Sequence, residues 1–342
     1  MKTFLHNFGF STVATFLAII ISIYFLGVDV ILPLLILVII EVTFSFDNAI
    51  VNAKILKKMS PFWQKLFLSV GIIVAIFGMR LVFPIAVVAL TANLNWKDVI
   101  DLALNHPATY AAKLEFAHPT ITAFGGAFLF VLSLRFFMEQ EKEHHWFGGF
   151  ERTLQRLGAY WWMPAAITLA VVVGFSLAPA NHHADQTLRA GLIGIVTYAI
   201  IHGLTVVIEK TTKSANKLAT YTGWAAFTMF VYLELLDASF SLDGVLGAFA
   251  ITSDVLLIVA GLGVGAVWVR SLTVFMVRRG TLESYKYLEH GAHYAIAVLA
   301  IAMLLAAIYE IPEALTGVIG VALIGGSLAA SIKARKAELQ AS

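Results

Sequence analysis

The feature that most constrains this chain is a set of carboxylates inside apolar runs long enough to cross a membrane. Glu41 and Asp47 lie in the second such run, and Asp237 and Asp243 lie in the seventh. A charged side chain near the centre of a bilayer costs at least ~2.5 kcal/mol on insertion scales. Acids in these positions therefore indicate a function rather than chance.

Composition agrees with a membrane protein, because 60% of the 342 residues are hydrophobic and only 13% are charged. A spanning helix needs ~17–25 apolar residues. We predict an all-α, polytopic protein with a single transmembrane domain over residues 1–342. Its ten predicted spans are Phe10–Gly27, Val30–Val51, Leu66–Leu90, Ile121–Met138, Trp161–Leu177, Leu188–Ile208, Tyr221–Phe249, Val255–Val277, Tyr294–Tyr309 and Ala314–Ile332.

The basic residues predict the orientation, since Lys and Arg accumulate in cytoplasmic loops. Of the 23 Lys and Arg residues, 18 fall in one alternating set of connections and three, Lys97, Lys113 and Arg189, in the other. We therefore predict a protein of the inner, cytoplasmic membrane with both termini in the cytoplasm. The outer segment 91–119 is predicted to form a small ordered cap, and the inner segment 139–146 a solvated helix extension.

Two stretches of the sequence repeat. Phe44-Ser45-Phe46-Asp47 matches Phe240-Ser241-Leu242-Asp243, 196 residues later, and an arginine follows a glycine by nine residues in the next run of each half. We predict one repeat over about 30–138 and a second over about 221–309. Because the second run enters from outside and the seventh from inside, the repeats are antiparallel, as in transporters with a midplane site.

Helical spacing puts the polar residues of the first copy on one face. At ~100° per residue, Glu41, Ser45, Asn48 and Asn52 share a narrow sector. The matching stripe of the second copy is Glu234, Asp237, Ser241 and Gly244. Each serine either supports this face or bonds a carbonyl one turn back.

Asp47 and Asp243 lie off these stripes. Either each faces another neighbour, or the helix is unwound so that both acids reach one cavity, which is tolerated where backbone lines a cavity. Gly244 and Gly247 favour such a break in the second copy, whereas the first copy has no glycine or proline there.

The charges predict a bound cation. Glu41, Asp47, Glu234, Asp237 and Asp243 exceed the two arginines of the spans, Arg80 and Arg270, by three, which suits a divalent cation plus a proton. We expect the arginines to pair with acids. Oxygen ligands favour Mn²⁺, Mg²⁺ or Ca²⁺, and His202 is a possible nitrogen ligand. The chain has no cysteine, which excludes a thiolate site.

The motifs at 41–49 and 237–244, together with Tyr287-Leu288-Glu289-His290-Gly291-Ala292-His293-Tyr294, resemble the TerC integral-membrane family, within the LysE exporter superfamily. The resemblance implies manganese efflux, or supply of metal to exported enzymes, with older links to tellurite resistance. It also carries the family's acidic motif onto Glu41, Asp47, Asn48, Asp237 and Asp243. The chain departs from the family at Gly244, where many relatives have a polar residue.

The leading hypothesis is a secondary transporter, not an enzyme, that exports a divalent cation, with Mn²⁺ as the first candidate and protons as the candidate coupling ion. The chain has no nucleotide-binding loop, and its net charge of +2 does not favour nucleic acid. One alternative is an intramembrane aspartyl protease that uses Asp47 and Asp243. Another is a metal-delivery partner of exported enzymes that binds an ion without transporting it.

Overall fold

The structure, a computed structural model, describes residues 2–213, 220–249, 251–309 and 311–341. All regular elements in this part of the chain are helices, in agreement with the predicted class. The α-helices, numbered along the chain, are α1 (Lys2–Leu26), α2 (Ile31–Phe44), α3 (Phe46–Lys57), α4 (Pro61–Ile73), α5 (Phe83–Thr91), α6 (Trp96–Asn105), α7 (Pro107–Phe137), α8 (Gly148–Leu157), α9 (Met163–Ser176), α10 (Ala184–Lys213), α11 (Gly223–Ala248), α12 (Val255–Arg279), α13 (Thr281–Ser284), α14 (Leu288–Leu305) and α15 (Glu313–Ala341).

Two short segments of other helix types complete the order. A 3₁₀ turn, Val28–Val30, joins α1 to α2, and a π-helical segment, Val74–Val82, joins α4 to α5. The apolar sequences explain the helices, because inside a bilayer every backbone N–H and C=O must be bonded within the segment. Proline stands in the first turn of α4 and α9, where its missing N–H costs nothing.

Within the described residues, seven helices are long and apolar enough to cross a membrane, and the bent pair α2–α3 makes an eighth. Every predicted span has a helical counterpart. Two predicted spans have no counterpart in this set: they correspond to α9, which has 14 residues, and to α11. The protein is therefore a multi-pass helical membrane protein.

The chain divides into two compact units. The first comprises residues 1–118 and 230–278, and the second comprises residues 119–229 and 279–342. Neither unit coincides with a predicted repeat, since each takes chain from both halves of the sequence. The acid-bearing segments of both halves, α2–α3 and most of α11, belong to the first unit.

Segment 91–119 is ordered, as predicted, whereas segment 139–146 differs from its prediction. Segment 91–119 contains α6, and the Asn95 side chain caps α6 by accepting the Lys97 N–H at 3.3 Å. Segment 139–146 is not the predicted helix extension, because α7 ends at Phe137 and the next helix begins only at Gly148. Lys142 of this segment is largely buried rather than solvated.

Candidate functional site

The first acidic motif lies at a break in its helix. Helix α2 ends at Phe44, α3 begins at Phe46, and the two axes differ by 53°. Ser45 at the break has φ −96° and ψ 16°, outside the helical region. Asp47 consequently stands in the first turn of α3, where its carboxylate accepts the Asn48 N–H at 2.8 Å. An acid is favoured in this position because free N–H groups and the helix dipole face it.

The second motif is not broken, so the expectation of a break at Gly244 and Gly247 is wrong. Helix α11 continues through both glycines to Ala248. A Cβ added to Gly244 would stand 3.7 Å from Glu41 Oε2, which is ordinary van der Waals contact, so Gly244 brings the second motif next to this acid. The two copies therefore differ in backbone as well as in sequence.

In the first copy, Glu41 is buried and paired with Arg80. The guanidinium donates to Glu41 Oε1 through Nη2 and to the Ala75 carbonyl through Nη1, the latter at 2.6 Å. Both Ala75 and Arg80 belong to the π-helical segment, where i→i+5 bonding changes which side chains line up. Ser45 donates to Glu41 Oε1 at 3.0 Å, so its hydroxyl bonds the acid one turn back rather than the carbonyl.

In the second copy, Arg270 holds two acids. Its Nη2 donates to Glu234 Oε1 at 3.2 Å and Oε2 at 3.3 Å, and lies 3.7 Å from Asp237 Oδ2. Nη1 donates to the Phe67 carbonyl at 2.8 Å, and the guanidinium carbon stands 4.0 Å above the centre of the Phe67 ring. Each half of the sequence thus supplies one arginine that neutralises an acid of its own motif.

The two motifs meet directly. Asn48 Nδ2 donates to Asp237 Oδ1 at 2.8 Å, which joins side chains 189 positions apart in the sequence. The motif side chains Glu41, Ser45, Asn48, Asn52, Glu234, Asp237 and Ser241 are all buried, as is Asp47. The repeated segments therefore form one polar cluster inside the first unit.

Glycines allow this close approach. A Cβ added to Gly265 would stand 2.4 Å from Glu41 Cβ, and one added to Gly71 would stand 2.6 Å from Arg270 Nη1 and 2.7 Å from Glu234 Oε1. A larger residue at either position would displace the acid of one motif. Gly71 is the glycine that precedes Arg80 by nine residues in the repeated spacing, whereas the sequence pattern did not single out Gly265.

Four buried oxygens of the cluster have no hydrogen-bond partner among the described residues. They are Asn48 Oδ1, Asn52 Oδ1, Asp237 Oδ2 and Ser241 Oγ. Leaving such a group unpaired costs about 1–3 kcal/mol. Asn48 and Asn52 are one helical turn apart, as are Asp237 and Ser241, so all four lie within a turn of the Asn48–Asp237 hydrogen bond.

Two predicted site residues, Asp243 and His202, are not among the residues of this cluster. The side chain of Asp243 lies outside the described residues, so its proximity to Asp47 stays a prediction. His202 belongs to the second unit, where its ring stacks on Tyr198 with centroids 5.8 Å apart. Among the residues that are described, no three His, Asp or Glu side chains converge as a metal-binding group.

The second unit contains a buried acid that sequence reasoning missed. Glu151 is fully buried in α8, and its carboxylate accepts the backbone N–H groups of Trp146 and Phe147 and the Tyr294 hydroxyl at 3.0–3.2 Å. Lys142 Nζ stands 3.5 Å from Oε2, and His290 Nε2 stands 3.4 Å from the same oxygen. Burial lowers the pKa of Lys142 to about 8, although Glu151 opposes that change. The only signal was the 287–294 motif, which contains both His290 and Tyr294.

A family match covers most of the chain. Residues 46–338 match a family described as "Protein of unknown function (DUF475)". No curated protein matches the chain, and no solved structure matches it. The matched region includes Asp47 and Asn48 of the first motif, the whole second motif and the Glu151 cluster, but begins after Glu41. The chain belongs to this family, DUF475, and is a multi-pass membrane protein.

Proposed function

We propose that the protein is a secondary transporter that exports a hard divalent cation, with Mn²⁺ as the first candidate, from the cytoplasm across the cytoplasmic membrane. The observation that carries the proposal is a set of four buried oxygens, two from each repeated motif, that have no hydrogen-bond partner within the described part of the chain and surround the Asn48–Asp237 hydrogen bond. A cation bound there would satisfy the oxygens of both halves at once.

The chemistry of the four oxygens narrows the choice of cation. Amide, hydroxyl and carboxylate oxygens are hard ligands that suit Mg²⁺, Ca²⁺ and Mn²⁺. Asp237 is the anionic ligand in this proposal, Asn48, Asn52 and Ser241 are neutral ligands, and Asp47 and Asp243 are additional acids on the path. The resemblance of the motifs to the TerC family favours Mn²⁺ within this group.

The charge balance supports a divalent ion. Glu41, Asp47, Glu234 and Asp237 carry four negative charges when ionised, and Arg80 and Arg270 offset two. The remaining two equal the charge of one divalent cation, and Asp243 adds one more that a proton would offset. Uncompensated charge in a membrane interior is neutralised by protons or cations, so proton coupling is part of the proposal.

Arg270 has a defined role in this mechanism. Its Nη2 is 3.7 Å from Asp237 Oδ2, the same oxygen that would bind the cation. A bound cation and the guanidinium repel each other, so we expect Arg270 to move wholly onto Glu234 when the ion enters. Glu234 and Arg270 therefore position Asp237 rather than bind the ion.

The test is Mn²⁺ flux into proteoliposomes that contain the purified full-length protein. We expect Asp237→Asn to reduce the flux at least tenfold, because it removes the anionic ligand. Asp185→Asn is the matched control, since Asp185 is an exposed acid in a surface ion pair, and it should transport normally. Size-exclusion profiles of both variants would show whether they fold.

Three outcomes separate the hypotheses. Flux that requires Asp237 supports transport. Mn²⁺ binding without flux in the intact protein would contradict transport and favour the delivery partner. Cleavage of a transmembrane peptide without added metal, abolished by Asp47→Asn or Asp243→Asn, would favour the protease.

A further inference from the structure

Helix α8 presents three different faces. At ~100° per residue, Glu151 and Gln155 fall on one face, Phe147, Phe150, Leu154 and Leu157 on a second, and Gly149, Arg152 and Arg156 on a third. The first face is the one that packs against the rest of the second unit, because Glu151 is fully buried. The other two faces are largely exposed.

The buried face fixes α8 beside the end of a candidate membrane span. Glu151 accepts the Tyr294 hydroxyl and stands 3.4 Å from His290 Nε2, and both residues belong to the first two turns of α14. Helix α14 is among the helices that are long and apolar enough to span. A helix attached to the first turns of a span lies at the level where that span leaves the hydrocarbon, which is the headgroup region.

The apolar face of α8 exposes large side chains at the level of the headgroup region. Phe150 is 59% exposed and Phe147 and Leu157 are 48% and 40% exposed. Tyr160, Trp161 and Trp162 follow at once, are also exposed, and directly precede α9. Tyr and Trp are enriched where spans meet the membrane surface.

The basic face fits the same surroundings. Arg152 and Arg156 are one turn apart and exposed, on the side of α8 away from Phe150. Arginine guanidinium groups form paired hydrogen bonds with phosphate oxygens. The segment before α8 carries Glu139, Glu141 and Glu143, so net charge alone would not attract the helix to a membrane. Helix α8 suits the membrane surface because its apolar and basic residues lie on different faces.

We propose that α8 is an interfacial helix that lies in the phospholipid headgroup layer of the membrane the chain itself spans. Its Phe150 face enters the acyl boundary, its arginines bind lipid phosphates, and the buried Glu151 holds it to α14. Amphipathic helices of this kind insert their apolar face by ~5–10 Å. The proposal does not depend on the transported ion.

Site-directed spin labelling tests the proposal, because the chain has no native cysteine. Single cysteines at Phe150 and Leu157 report on the apolar face, and one at Gly149 reports on the basic side, where an added Cβ meets nothing within 4 Å. Val196→Cys, exposed in the candidate span Ala184–Leu204, is the lipid-facing reference. The labelled full-length proteins are reconstituted in phosphatidylcholine–phosphatidylglycerol liposomes.

The readout is the collision rate of each label with oxygen, which partitions into lipid, and with a water-soluble nickel chelate. We expect labels at 150 and 157 to favour oxygen, as at 196, and the label at 149 to favour nickel. Equal nickel access at 149, 150 and 157 would overturn the proposal, because α8 would then lie in water. Exclusion of both reagents at 150 and 157 would also overturn it, since a protein surface would then cover this face.

Discussion

Gly265→Ala is the sharpest structural test of the cluster, because it fills the space that Glu41 occupies. The added Cβ would stand 2.4 Å from Glu41 Cβ, 2.5 Å from Glu41 Cγ and 3.2 Å from the Val38 carbonyl oxygen. Carbon atoms pack at about 3.5–4.0 Å. The nearest atoms belong to the base of the side chain, so a rotamer change at its tip cannot relieve the overlap. Helices α2 and α12 must move apart by about 1 Å.

The magnitude follows from two opposing effects. Overpacking a filled interior costs about 1–3 kcal/mol, whereas replacing glycine by alanine within a helix gains roughly 0.5–1 kcal/mol. We therefore expect Gly265→Ala to destabilise the protein by about 1–2 kcal/mol, a few degrees in apparent melting temperature. Moving Glu41 from Arg80 should also lower Mn²⁺ flux more than the loss of folded protein explains.

Intrinsic tryptophan fluorescence on heating in detergent measures the first effect. The control is Gly9→Ala in α1, where a Cβ would meet nothing within 4 Å, and this variant should be as stable as the wild type or more so. If Gly265→Ala were as stable as Gly9→Ala and transported at the wild-type rate, the close packing of Glu41 against α12 would be wrong.

Three further predictions follow from the ion pairs. Gly71→Ala should lower Mn²⁺ affinity and destabilise the protein less than Arg270→Gln, because the three atoms nearest the added Cβ are at the ends of Arg270 and Glu234, which can shift without losing their charges. Isothermal titration that gave wild-type affinity would contradict this. Arg270→Gln should destabilise the protein by about 3–5 kcal/mol, because it leaves buried acids unpaired. Adding Glu234→Gln to this variant should recover part of the lost stability in thermal melts, and no recovery would refute the pairing of Arg270 with Glu234. Since burial lowers the pKa of Lys142 from 10.5 to about 8, the unfolded chain binds more protons between these pH values and stability rises with pH there. The melting temperature of the wild type minus that of Lys142→Met should therefore increase from pH 7.5 to pH 9.5, and a constant difference would show that Lys142 is not held in this environment.

The sequence was sufficient for the features that depend on charge and hydropathy. Carboxylates within apolar runs must be buried and offset, so the pairing of Arg80 and Arg270 with acids could be anticipated from their positions alone. The repeat predicted that the two acid-bearing segments meet, and Asn48 of the first is hydrogen-bonded to Asp237 of the second. This long-range contact could be predicted because the two segments have similar sequences and both contain acidic residues.

Backbone breaks were not predictable in this way. Glycine marked the second motif as the weaker helix, yet the break is at Ser45. In an apolar surrounding a glycine keeps its backbone hydrogen bonds, since no water competes for them, whereas Asp47 stabilises a new helix start by accepting the Asn48 N–H. Glycine content alone therefore does not locate a break in a membrane helix.

The Glu151 cluster was missed for a different reason. A glutamate in a short amphipathic segment with arginines nearby resembles a solvated surface residue. Its burial depends on Tyr294, 143 positions later, and on Trp146 and Phe147 backbone groups that no spacing rule selects. Tertiary contacts of single residues without a repeated partner stay outside what one sequence can predict.

The most direct test of the central claim is anomalous scattering at the manganese absorption edge from crystals grown in saturating Mn²⁺. We predict one peak within about 2.0–2.6 Å of ligand oxygens from both motifs, with Asp237 Oδ2 and Asn48 Oδ1 among them. No peak between the two motifs, or a peak whose ligands all come from one motif, would contradict a cation site shared by the two halves.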